Sequence, residues 1–224
     1  MSILNLITSL YAPFHCLGCG REEDRLLCNV CAETVAKVPS RCYRCHKTTR
    51  GYEVCTNCRS KTPLRRVAAW AHYQDIPKAL IQKSKYERAV TGLHEAADLM
   101  ATLLPQFEPG FIIVPVPTAT SRVRQRGYDQ ATVLARRLAR KHHLPYARLL
   151  ARLGQAHQVG AGRAERVAHL KDAFRPIHSN QIEGAHILLI DDVCTTGATL
   201  ESAAQVLRKA GAKRVDALVF AQPN

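Results

Sequence analysis

The sequence predicts an α/β fold built on a parallel sheet, with a small cysteine-rich unit in front of it. Three observations carry this prediction. Eight of the nine cysteines fall in four CxxC pairs before residue 59. From residue 67 onward apolar runs alternate with helical segments, and near the C-terminus an apolar strand runs into two adjacent acids and a threonine–glycine loop. A chain of 224 residues with 46% hydrophobic content can bury one large core or two unequal ones.

The cysteine unit comes first in the chain. Its pairs are Cys16/Cys19, Cys28/Cys31, Cys42/Cys45 and Cys55/Cys58. Such regularity suits tetrahedral thiolate ligation and has no purpose in a disulfide framework. The first residues, MSILNLITSLYAPF, show helical periodicity but lack the basic region and cleavage site of a secretory signal. No apolar stretch reaches the roughly 20 residues of a membrane span, so the expectation is a soluble, cytoplasmic chain with reduced cysteines. Sequential grouping gives two Cys₄ sites for structural zinc, with no open position for catalysis. The spacing leaves interleaved grouping open, and a single zinc or an iron–sulfur cluster is the competing reading.

Charge divides along the same line. Residues 1–62 hold nine Lys+Arg against five Asp+Glu, and residues 63–224 hold twenty-three against thirteen. Two zinc ions on eight thiolates take the first surplus to about zero. The basic excess then belongs to the second part, where it attracts phosphate on a metabolite or on a nucleic acid. Boundaries at 1–62 and 63–224 follow, since Lys61-Thr62-Pro63 ends the cysteine pattern.

Beyond that break, VAAWAHY reads as a strand, residues 76–85 and 89–104 as helices, and FIIVPVP as a buried strand. Arg122, Arg124 and Arg126 follow in what reads as a glycine-containing loop, ahead of a helix that begins near Asp129. LLARL reads as a strand and residues 154–172 as a loop.

Residues 187–199, ILLIDDVCTTGAT, are the most specific signal. Four apolar residues form a strand buried on both faces, and Asp191 and Asp192 stand where it leaves the sheet. The loop Thr195, Thr196, Gly197, Ala198, Thr199 precedes a helix, so its amides and hydroxyls can wrap a phosphate. Acids beside a phosphate cradle are compatible if the ligand offers a sugar diol to the acids and a phosphate to the loop. Cys194 reads as an apolar filler, since no histidine pairs with it.

This motif resembles the phosphoribosyltransferase signature, and over nearly its full length the chain resembles the ComF/GntX family of competence-associated proteins. The paired CxxC units, VPVP followed by RVRQRGYDQ, the stretch from Gln158 to Phe174 and IDDVCTTGAT carry the likeness. It implies a double zinc ribbon and a type I phosphoribosyltransferase-like domain. It also implies phosphoribosyl pyrophosphate with Mg²⁺ as ligand. Asp191 and Asp192 would hold the ribose hydroxyls, and residues 195–199 the 5′-phosphate. Arg122, Arg126, Arg163 and Arg166 would approach the pyrophosphate, the last two from a closing loop. Asp129 and His169 stand where the family usually has Asn.

Two functions of different class follow from the resemblance. One is a phosphoribosyltransferase, a glycosyltransferase, in a competence or DNA-utilisation setting. The other is a non-catalytic accessory factor for single-stranded DNA and for DNA-uptake or recombination proteins, with a regulatory nucleotide pocket. Turnover separates them, because a cradle suffices for binding whereas catalysis also needs an acceptor site and closure.

Overall fold

Four apolar runs alternate their side chains between two hydrophobic layers, and that alternation organises the molecule. The computed structural model describes residues 14–86, 90–153 and 173–224. The expected N-terminal helix and the expected loop at 154–172, with Arg163, Arg166 and His169, lie outside the described residues.

The cysteine unit contributes the short strands β1 (Phe14–His15) and β2 (Glu22–Glu23) and the helices α1 (Asn29–Thr34) and α2 (Thr56–Arg59). The sheet strands are β3 (Val67–His72), β4 (Phe111–Pro115), β7 (His186–Val193) and β8 (Arg214–Gln222), all parallel, in the order β3-β8-β7-β4. Between them run α3 (Asp75–Tyr86), α4 (Val90–Met100), α5 (Thr120–Arg126), α6 (Gln130–His142), the antiparallel pair β5 (Leu150–Arg152) and β6 (Phe174–Pro176), and α7 (Ala198–Lys209). No described helix is long and apolar enough to cross a membrane.

Because side chains alternate along a strand, Ile187 and Leu189 join one layer with Ala69, Ala217 and Val219, while Leu188 and Ile190 join the other with Trp70, Leu218 and Phe220. Covered on both sides, residues 187–190 are at most 1% exposed. Each such Leu or Ile contributes about 1.5–3 kcal/mol by burial.

One layer is closed by α7, whose Leu200, Ala203, Ala204 and Leu207 recur at helical spacing on a single face. The other is closed by α3, α4 and α6 through Leu80, Ile81, Leu93, Ala97, Leu134 and Leu138.

The cysteine unit straddles the β3 edge. Residues 36 and 37 run along that edge: Lys37 bridges to Ala71, and the His72 amide donates to Ala36 O at 3.2 Å. The first ribbon therefore packs toward α4, where Glu95 accepts the amides of Leu26 and Leu27 at 2.7 and 3.0 Å. The second lies on the opposite face, with Val38, Cys42, Tyr43, Val54 and Cys58 in the same apolar layer as α7.

One local expectation is corrected. Arg122, Arg124 and Arg126 lie on the helix α5 rather than in a loop. TSRVRQR is rich in good helix formers, and Gly127 ends the helix in the left-handed region at φ 82°, its amide donating to Val123 O at 2.8 Å.

Candidate functional site

Each cysteine tetrad is sequential. The sulfurs of Cys16, Cys19, Cys28 and Cys31 lie within 4.8 Å of one another, as do those of Cys42, Cys45, Cys55 and Cys58. The Cys19–Cys28 and Cys45–Cys55 sulfurs are 4.0 and 3.5 Å apart. Tetrahedral zinc with bonds of about 2.3 Å sets sulfurs about 3.8 Å apart, so both tetrads fit a structural zinc site. The interleaved alternative falls away. Tight knuckles bring donors to sulfur: the Gly18 and Cys28 amides point at Cys16 Sγ, each at 3.4 Å. Burial opposes ionisation of Cys16, yet these N–H groups bring its thiol down to about 6. A hydrogen bond from Cys28 and burial push Cys31 up to about 12. A divalent cation supplies the charge that lets all four sulfurs ionise together.

The second centre lies at the C-terminal ends of β4 and β7. β7 ends in Asp191 and Asp192, both half-buried. Their carboxylates fold back on the chain, the Asp192 amide donating to Asp191 Oδ1 at 2.9 Å and the Val193 amide to Asp192 Oδ1 at 2.8 Å. Burial and the adjacent Asp192 push the Asp191 carboxyl well above the usual carboxylate range, and Asp129 adds to the push.

Thr195 and Thr196 are exposed, and Gly197 turns the chain into α7 at φ 80°. A Cβ there would meet Tyr43 Cε2 at 2.6 Å, so glycine is required by conformation and by space. The loop amides precede a helix of 12 residues, which concentrates positive potential beside the two acids. Cys194 is buried, and its thiol is pushed up to about 12 by desolvation, as befits a filler.

Beside this strand end, Asp129 caps α6 and ties down the chain after β4. Arg126 donates to Gln130 Oε1 at 2.6 Å, which holds it at the junction of α5 and α6. Arg122 also lies on α5.

Three further residues escape sequence reasoning. Arg152, at the end of β5, reaches Pro117 O at 3.3 Å and lies over the Phe174 ring at 5.3 Å, which sets a cation beside the end of β4. Tyr43 and Glu201 meet under the loop, 158 residues apart in sequence. The sequence marks Tyr43 only as a candidate stacking group beside the basic residues of its knuckle, and no local pattern marks the roles seen here.

A parallel sheet with this acid pair and helix-terminal loop defines a type I phosphoribosyltransferase fold. The chain belongs to the phosphoribosyl transferase domain family, which matches residues 59–224. It is also similar to competence protein ComFC of Bacillus subtilis, 29% identical over 85% of this chain and 81% of that protein. DNA utilization protein YhgH of Salmonella typhimurium is 30% identical over 84% of this chain and 87% of that one. The resemblance to ComF/GntX proteins is thereby borne out. Among solved structures, glutamine phosphoribosylpyrophosphate amidotransferase from B. subtilis aligns at 19% identity with a TM-score of 0.42, covering 62% of this chain and 30% of that one.

Proposed function

We propose that the centre at the ends of β4 and β7 binds 5-phosphoribosyl pyrophosphate with Mg²⁺, and that the protein is a cytoplasmic phosphoribosyltransferase serving competence or DNA utilisation. The observation that carries this reading is the union of Asp191 and Asp192 with the glycine-turned loop ahead of α7. Carboxylates accept hydrogen bonds from the ribose 2′- and 3′-hydroxyls, while the amides and hydroxyls of residues 195–199 donate to the 5′-phosphate. In this reading Arg122 and Arg126 on α5, together with Arg163 and Arg166, are the cations for the pyrophosphate, which guanidinium groups match bidentately. Mg²⁺ carried on the pyrophosphate would supply charge that eases its departure. The names of the relatives, competence and DNA utilization, support the setting.

The test is calorimetric binding of phosphoribosyl pyrophosphate with Mg²⁺, followed by pyrophosphate release against a panel of bases. Asp191→Ala with Asp192→Ala should abolish binding while zinc content is kept. Unchanged binding would overturn the site assignment, and release that depends on one acceptor would establish the transferase.

A second reading, the accessory factor for single-stranded DNA, is favoured by one observation at the other end of the sheet. Two cavities of about 560 and 540 Å³ adjoin there and share Arg59 and Arg65. One is further lined by Lys47 and Arg50, and the other by Arg208 and Lys213. This basic track begins at the N-termini of β7 and β8, roughly 16 Å along β7 from Asp191. Phosphate backbones suit such a track. DNA retention that steepens as salt falls and weakens in Arg59→Ala with Arg65→Ala would support it; retention unaffected by those changes would refute it.

A further inference from the structure

We propose that the second cysteine tetrad positions the phosphate-binding loop through Tyr43, so that zinc at Cys42, Cys45, Cys55 and Cys58 and a phosphoribosyl ligand at residues 195–199 stabilise each other. The ligand half rests on the reading of the site proposed above; the positioning half stands on geometry alone.

Tyr43 lies inside the knuckle CYRC, between two ligands of the second tetrad. The knuckle turn is closed by the His46 amide on Cys42 O and the Cys42 amide on Lys47 O, both at 2.8 Å, so the tetrad governs where Tyr43 points. Its ring occupies the space a side chain at 197 would need, with Cε2 and Cδ2 at 2.6 and 3.1 Å from that Cβ position. The phenol hydroxyl is shared with Thr62 Oγ1 at 2.7 Å and donates to the carboxylate of Glu201, in the first turn of α7. The next knuckle residue, Arg44, pairs with the same carboxylate and donates to Lys61 O at 3.0 Å. The Glu201 amide in turn donates to Gly197 O at 2.8 Å, which closes a circuit from tetrad to loop.

The first tetrad supplies an internal control. Its knuckle carries Leu17 and Gly18 in place of Tyr43 and Arg44, and it packs against Ile76, Leu99 and Glu95 on the opposite face of the sheet. Coupling to the loop therefore belongs to one tetrad of the two. Coupling free energy between two binding sites is reciprocal, so whatever zinc does for the ligand the ligand does for zinc.

Two measurements on the full chain test this. The first is hydrogen exchange of a peptide spanning residues 191–205. Tyr43→Ala should speed loop exchange about tenfold, and Tyr43→Phe, which keeps the ring against Gly197, should restore most of the protection. Loop exchange unchanged in Tyr43→Ala overturns the positioning role. The second is zinc release to a chromogenic chelator. Phosphoribosyl pyrophosphate with Mg²⁺ should slow release of one zinc of the two about tenfold in the native chain, with no protection in Tyr43→Ala. If Tyr43→Ala folds poorly, Glu201→Ala removes the polar part of the link, the bonds from Tyr43 and Arg44, from a partly exposed helix turn; loop exchange should then speed at least as much as in Tyr43→Phe, and exchange unchanged in both variants overturns the polar link. Calorimetric binding without zinc protection overturns the coupling. Absence of calorimetric binding overturns the ligand reading, and the exchange measurement then decides the positioning half by itself.

Discussion

Asp129 holds Thr118 by two hydrogen bonds, the Thr118 amide donating to Oδ2 at 3.0 Å and its hydroxyl to Oδ1 at 3.3 Å. The same Oδ1 accepts the Thr132 amide at 3.1 Å, so one carboxylate joins the end of β4 to the first turn of α6. Both oxygens are used as acceptors. Asparagine offers a single acceptor oxygen and sets an NH₂ against one of the amides. Asp129→Asn should cost about 1 kcal/mol in urea unfolding. It should also let Asp191 ionise more easily, since Asp129 is among the charges that hold the Asp191 proton on. Unaltered stability together with unaltered Asp191 titration by NMR would contradict this account.

Asp191 has a consequence for stability. Its carboxyl is raised in the folded chain by burial and by Asp192. A raised acid means that the folded state binds more protons than the unfolded one between the two values. Its contribution is therefore most favourable at low pH, and it is lost as pH rises above the ordinary aspartate value of about 3.9 through the folded one. At neutral pH the Asp191 carboxyl therefore opposes folding. Asp191→Asn should raise the Tm of the ligand-free protein at pH 7, by about 2–4 °C for each kcal/mol released, while removing phosphoribosyl pyrophosphate binding. Calorimetric melting at pH 4 and pH 7 checks it: the gain should shrink at the lower pH, and an equal or larger gain there would reverse the assignment.

These two acids show which parts of the fold are legible in the sequence. ILLIDD is readable because a doubly covered strand must be apolar and must shed its polar residues at its end. The CxxC pairs are readable because each knuckle is local. The α5 helix is less so: seven residues between a proline-bearing segment and Gly127 are too few for a period to separate helix from turn. The contact between Tyr43 and Glu201 is invisible, because nothing near either residue specifies a partner 158 positions away. The docking of the ribbons on the β3 edge is equally non-local, resting on the backbone bridge of Lys37 to Ala71 and on the Glu95 contact with Leu26 and Leu27, 69 and 68 positions apart.

The first ribbon should depend on Glu95. Its carboxylate, on α4, takes the Leu26 and Leu27 amides, and burial raises its pKa even against these two donors. The pair of bonds fixes the segment that leads into Cys28. Glu95→Ala should hasten zinc release from the first tetrad several-fold, leave the second unaffected, and cost about 1–3 kcal/mol through the orphaned amides. Two release phases resolved by chelator kinetics would show it, and acceleration of both phases or of neither would count against the separate docking of the ribbons.

Lys37 offers a pH signal on the same edge. Its ammonium lies 3.5 Å from the centroid of the Trp70 ring and donates to Ala32 O at 2.9 Å. Desolvation against the Trp70 ring outweighs these two contacts and lowers its pKa to about 8. Folding therefore favours the neutral amine, and the contribution of Lys37 to stability improves as pH rises from about 8 toward the ordinary lysine value of about 10.4. Trp70 is the only tryptophan in the chain and stacks on Phe220 at 5.3 Å, so its emission reports this one site. Tryptophan fluorescence should titrate with a midpoint near 8, and Lys37→Met should flatten the curve. A midpoint at 10 or above would mean that the ammonium lies in water instead of over the ring.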